Sequence, residues 1–184
     1  YLNTKVIEVG KAGVTVERDG KTTVLEADKI LVSVGRKANI GQVGLDKLNI
    51  ELHRSGVKVN EHMQTSHPHV YACGDITGHS MLAHTAIRES EVAINHILGV
   101  EDKMSYDYIP GVVYTNPELA GVGKTEEELI AGGVSYRVQK LPMVYSGRFI
   151  AENELGNGLC KLILDEDEHI IGCHLLGNPA SELI

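Results

Sequence analysis

The chain has 184 residues, 42% hydrophobic and 23% charged, with a formal net charge of −8, a single Phe and no Trp. That is enough for one good core or two small ones, built mostly from aliphatic side chains. The acidic balance, without clustered Lys and Arg, argues against a nucleic-acid partner, and no apolar run approaches a membrane-spanning length or forms a signal peptide.

Tyr1 to Val9 is strand-like through Val6, Ile7 and Val9, and the chain begins without Met, as though in mid-fold. Val14 to Arg18 and Lys21 to Leu25 flank Asp19-Gly20, a dipeptide that supports the backbone twist of a two-residue hairpin turn. Lys29 to Gly35 reads as a buried strand running to a glycine, and parallel sheets gather ligands at such carboxyl ends. From Ile40 to Asn60 a linking region carries only short apolar pieces, among them Leu45, Leu48, Ile50 and Val57.

Residues 65 to 99 organise the middle of the chain: a turn, a short apolar strand, the Gly74-Asp75 bend, a loop and one long amphipathic helix. Leu82, Ala83, Ala86, Ile87, Ser90, Ala93, Ile94, Ile97 and Leu98 share one helical face, and Gly99 closes the helix as a left-handed cap. The Asp75 carboxylate can accept hydrogen bonds from sugar-like hydroxyls, Gly74 permits close approach, and first-turn N–H groups present positive partial charge to an electron-rich ligand. A Gly-Asp pair at a strand end is equally legible as a plain turn.

After a boundary at Tyr106 to Pro110 the chain turns strand-rich. Val112 to Tyr114 begins a new sheet, Thr125 to Glu128 is a capping box for a short helix ended by Gly132-Gly133, and Val134 to Tyr145, Leu159 to Leu164 and Ile170 to Leu176 complete an antiparallel set. Asn178 reads as a helix cap with Pro179 in the first helical position. Cys73, Cys160 and Cys173 form no CxxC or CxxxxC pair and read as reduced core residues, consistent with a cytoplasmic protein. His67 and His69, with His62, His79 and His84 nearby, lack metal-ligand spacing and read as solvated loop side chains. GVG at 121–123 and GNG at 156–158 lack the third glycine and the strand–turn–helix setting of a dinucleotide fingerprint.

Thr65 to Asp75 resembles the second flavin-binding motif of the disulfide-reductase flavoproteins. Met81-Leu82-Ala83-His84 resembles the form it takes in the dihydrolipoamide dehydrogenase family, and Tyr114-Thr115-Asn116-Pro117-Glu118 and Val122 to Glu128 resemble the opening of that family's interface domain. The resemblance implies α/β and α+β architecture: residues 1–38 as the end of an NAD-binding Rossmann-like domain, 39–108 as the returning segment of the FAD domain, and 109–184 as a truncated dimerisation domain. It implies FAD and NAD as cofactors, with Asp75 on the ribityl chain, Gly74 and the backbone of Met81, Leu82, Ala83 and His84 near the flavin, and Gly35 and Val6 as NAD contacts.

Gly35-Arg36-Lys37-Ala38-Asn39 departs from the family's commoner GR-x-PN form, which makes the exit turn less rigid without touching the glycine. The redox cysteine pair, both dinucleotide fingerprints and the C-terminal His–Glu base have no counterpart, so this chain is expected to hold no catalytic residue and to be an inactive piece of a longer polypeptide. The expected parent is an NAD-reducing, FAD-containing oxidoreductase acting on dihydrolipoamide. Its partners are a second copy and a lipoyl-bearing protein of a 2-oxo acid dehydrogenase or glycine cleavage complex. Glutathione reductase, mercuric reductase or transhydrogenase chemistry, or a purely structural dimerisation role for the piece, remain alternatives.

Overall fold

The computed structural model describes residues 1–41, 43–153 and 156–184. The chain divides into two units, Tyr1–Lys37 and Ala38–Ile184.

The first unit is an antiparallel meander of β1 (Lys5–Gly10), β2 (Gly13–Arg18) and β3 (Lys21–Leu25). Asp19 and Gly20 take φ of 51° and 72°, the two positive values that let so short a turn follow the strand twist. Val6 pairs with Val16, and Val16 is the buried member. The strand expected over Lys29–Gly35 is not formed: among the described residues it has no ladder partner, and Leu31 and Val34 are each 91% exposed. A parallel strand draws its hydrogen bonds from neighbours on both sides, and β1 to β3 pair only with one another.

In the second unit two small aliphatic clusters precede the sheet. Ile50, Val57 and Ala72 form one; Met63, Val92, Ala93 and Met104 form the other, with Tyr71, Cys73 and Ile109 packed against it. Helix α1 (Ala83–Ile97) lies on the second cluster and ends as expected, with Gly99 at φ 73°. Its buried face differs from the expected one. Thr85, Glu89, Val92 and Ala93 are buried, whereas Ile87, Ile94, Ile97 and Leu98 are exposed. The reason is polar compensation: the seat supplies hydrogen-bond partners to Thr85 and Glu89, so a mixed face can be buried.

Helix α1 is tied by side chains at its middle and its far end. Tyr71 Oη and His96 Nδ1 are 2.7 Å apart, His62 stacks on His96 at 4.5 Å, and the Arg88 guanidinium forks onto Asp102 at 2.9 and 2.5 Å. The Arg88 hydrogen bonds, then that from Asn95, hold the Asp102 carboxyl down at about 2.

A five-stranded antiparallel sheet follows: β4 (Gly111–Val113), β5 (Leu119–Gly123), β6 (Arg137–Pro142), β7 (Leu159–Leu164) and β8 (Ile170–Leu176), in the order β4-β5-β8-β7-β6. Helix α2 (Glu126–Gly132) opens on the expected capping box, Thr125 with Glu128, and closes at Gly133 with φ 63°. Helix α3 (Gly147–Glu152) was not foreseen; Ser146 caps it, and it buries Phe149. The ring lies so close to Gly158 that a Cβ there would stand 2.9 Å from Phe149 Cζ. On β7, Ile163 is fully buried while Cys160 packs beside Ala120, Leu175 and Ala180. All three cysteines are free thiols.

Helix α4 (Ala180–Leu183) corrects the reading of Asn178 as its cap. Pro179 occupies the cap position, the Asn178 Oδ1 accepts from the Glu118 N–H at 2.8 Å, and the Glu118 carboxylate accepts from the Ser181 N–H at 2.8 Å. The first turn is thus satisfied by a side chain from the start of β5. No helix among the described residues is long and apolar enough to cross a membrane.

Ile163→Ala is expected to lower the unfolding free energy by about 2–5 kcal/mol, read from the urea midpoint. Because the folded pKa of Asp102 lies below its ordinary 3.8, the Arg88–Asp102 pair contributes stability above that value and loses it as pH falls through about 2. Urea midpoints of wild type and Asp102→Asn are therefore expected to differ near neutral pH and to converge on acidification.

Candidate functional site

The segment from 65 to 75 is tighter than a strand and bend. Gln64 and Tyr71 form a single isolated bridge, and Thr65 Oγ1 donates to the Val70 carbonyl at 2.9 Å, closing the turn between them. Gly74–Thr77 then forms one 3-10 turn. Gly74 takes φ 78°, and a Cβ there would lie 3.2 Å from Ala86 Cβ, so glycine serves both the backbone angle and the approach of α1.

The turn is held at several atoms. The buried Thr77 hydroxyl donates to the Gly74 carbonyl at 2.9 Å, the Val57 N–H donates to the Ile76 carbonyl at 2.9 Å, and the Gly74 N–H donates to the carboxylate of Glu89. Gly78, at φ 69°, packs so tightly on Ser55 that a Cβ would meet its carbonyl oxygen at 2.4 Å. Within this clamp Asp75 is exposed.

Helix α1 begins a few residues on. Leu82 stands at its N-cap and makes no side-chain cap hydrogen bond, as an apolar side chain must. The first-turn N–H groups thus keep their positive partial charge without a capping oxygen. Met81 is half-buried and Leu82, Ala83 and His84 are exposed, so this stretch of backbone lies at the surface and not inside the core. His84 Nε2 is 2.9 Å from the Pro110 carbonyl; a carbonyl only accepts, so Nε2 carries the proton and the ring ties the helix start to the segment entering β4.

An exposed carboxylate and an uncapped helix mouth suit a ligand bearing hydroxyls at one end and an electron-rich ring at the other. Gly74, expected to allow close approach of that ligand, is instead buried and gives its open side to Ala86 of α1. The structure brings Gly74, Asp75, Met81, Leu82, Ala83 and His84 into one unit. Gly35 and Val6 belong to the other, where Gly35 is exposed at φ 100° and Val6 is 57% exposed on β1. A cleft of about 600 Å³ beside β5, lined by Tyr106, Ile109, Gly121, Lys124, Glu128 and His174, contains none of these residues. Among the described residues no three His, Cys, Asp or Glu side chains are grouped to hold a metal ion.

Sequence reasoning missed Glu89, Thr77 and Tyr106, whose groups fix the turn from behind. For Glu89 the signal was present: positions 85, 89, 92 and 96 recur at helical spacing opposite the aliphatic stripe.

Residues 1–90 match the family model described as pyridine nucleotide-disulphide oxidoreductase, and residues 109–184 match the dimerisation domain of the same name. The chain is similar along its whole length to the mitochondrial dihydrolipoyl dehydrogenase of Pisum sativum, at 41% identity over 191 residues and 38% of that protein's length. It is equally similar to the leghemoglobin reductase of Glycine max, at 41% identity and 36% of that protein. Among solved structures, LpdA of Mycobacterium tuberculosis superposes on 99% of this chain and 40% of its own, with a TM-score of 0.83 and 30% identity. The chain therefore spans about two fifths of the length of these relatives.

Gly74→Ala forces a left-handed backbone on a residue with a Cβ and crowds Ala86. It is expected to lower the unfolding free energy by about 1–2 kcal/mol, read from denaturant midpoints.

Proposed function

The chain belongs to the pyridine nucleotide-disulphide oxidoreductase family, and from that premise we propose that the full-length protein oxidises protein-bound dihydrolipoamide to lipoamide and reduces NAD, with FAD between them. The observation that carries this reading is the exposed Asp75, clamped on its turn beside the uncapped start of α1. Relatives named dihydrolipoyl dehydrogenase at about 40% identity support the substrate.

Bound flavin supplies a two-electron acceptor for thiols and a donor to the pyridine nucleotide. This chain's part is to bind and orient it. Asp75 would accept hydrogen bonds from ribityl hydroxyls, and the backbone of Met81, Leu82, Ala83 and His84 would lie near the flavin ring. The positive end of α1 favours negative charge there. Gly74, itself buried, serves the site through the turn backbone that carries Asp75, and Gly35 and Val6 contact NAD.

In this reading residues 1–38 close the NAD domain, 39–108 return the chain to the FAD domain and 109–184 form the homodimer interface. The lipoyl-bearing protein of a 2-oxo acid dehydrogenase or glycine cleavage complex is the proposed partner, and the cytoplasm the proposed location. The chain itself holds no CxxxxC pair and supplies no catalytic residue, so in isolation it is inactive. A related disulfide reductase of the glutathione, mercuric or transhydrogenase type is the second reading, because the family model that matches residues 1–90 names a disulphide oxidoreductase without naming its substrate.

The test is an assay of the purified full-length protein for bound FAD and for NAD reduction driven by dihydrolipoamide. Both are expected, and failure of the second with FAD present would transfer the proposal to another disulfide substrate. Asp75→Ala is expected to weaken FAD binding about tenfold or more, the worth of a charged hydrogen bond removed from a ligand.

A further inference from the structure

Glu89 is completely buried in the middle of α1. Taking a carboxylate out of water costs several kcal/mol, and on stability alone an aliphatic side chain would serve better beside Val92 and Ala93. What this carboxylate contacts is specific. One oxygen accepts from the Gly74 N–H, and the other accepts from the Tyr106 hydroxyl at 2.7 Å. Burial, and then the Glu89 carboxylate, push the Tyr106 phenol well above its ordinary range, so Tyr106 stays a donor. Its ring stacks on His79, with centroids 5.1 Å apart.

Two distant pieces of chain therefore meet on one side chain. The Gly74 N–H belongs to the Cys73–Gly74 peptide, one residue ahead of Asp75, and a buried N–H in that position would otherwise be unsatisfied. The Gly74 carbonyl is separately held by Thr77 Oγ1. With both polar atoms of Gly74 fixed, the backbone that carries the Asp75 carboxylate cannot rotate without breaking a buried charged hydrogen bond.

We propose that Glu89 is a positioning residue: through the Gly74 N–H it fixes the orientation of Asp75 relative to the start of α1, and so sets how tightly the ribityl hydroxyls of the flavin are gripped. The role rests on the flavin reading above, whereas the strut itself does not.

The two are separated by one set of measurements on the full-length protein, comparing wild type, Glu89→Ala, Glu89→Gln and, as a control on the same helix, the exposed Glu91→Ala. Amide hydrogen exchange reads the strut. Glu89→Ala is expected to speed exchange at Gly74 and Asp75 at least tenfold while Val92 stays protected, whereas Glu89→Gln, whose amide oxygen still accepts from Gly74, restores most of the protection. FAD affinity and the visible flavin spectrum read the role. Affinity is expected to fall about tenfold or more in Glu89→Ala, with a shifted flavin band, to recover to within about threefold in Glu89→Gln, and to be unchanged in Glu91→Ala.

Unchanged exchange at Gly74 in Glu89→Ala would overturn the strut and the role together. Faster exchange with unaltered FAD affinity and spectrum would overturn the role and leave the flavin reading intact. A wild-type protein that binds no FAD would overturn the flavin reading and the role with it, leaving only the strut.

Discussion

The candidate site depends on one constraint: the peptide ahead of Asp75 is pinned from inside the molecule. Asp75 is itself exposed. Its backbone is held by Glu89 at the Gly74 N–H, by Thr77 at the Gly74 carbonyl and by Val57 at the Ile76 carbonyl. Gly74 and Gly78 adopt positive φ to make so short a turn possible. A surface carboxylate on an immobile backbone is preorganised for a ligand, which spares part of the ordering cost of binding.

Helix α1 serves this arrangement at both ends. Its N-terminus is left without a capping side chain, and His84 ties it to Pro110. Its C-terminal half is secured by Tyr71 and His62 at His96 and by Asp102 at Asn95. A helix anchored in this way can keep its first-turn N–H groups open without fraying. The stripe of Ile87, Ile94, Ile97 and Leu98 is the opposite case, an aliphatic face left exposed.

Much of this was legible in the sequence where the cause is local. The Asp19-Gly20 turn, the Thr125 capping box, the Gly99 and Gly133 stops and the antiparallel set after Pro110 are written in residues a few positions apart. What was not legible depends on distant partners. The strand over Lys29–Gly35 needs neighbours that β1 to β3 do not provide. The face of α1 that is buried was misjudged because hydrophobicity alone does not reveal that Gly74 and Tyr106 wait to satisfy Glu89. Asn178 resembled a cap, and only the fold shows Glu118 taking that task. At the site, residue types pointed to Asp75 and the start of α1, while the groups behind the turn were invisible until the helix was docked.

The strand order has a kinetic corollary. β5 lies between β4 and β8, so one of its edges is met by the nearby β4, but the other must await a strand from beyond α2, β6, α3 and β7. Closing so long a loop is slow compared with forming a hairpin, and during synthesis β5 emerges well ahead of its second neighbour. Until β8 arrives, Ala120 has neither Leu175 nor Ala180 over it, and the half-built sheet presents an unpaired strand edge of the kind that invites aggregation.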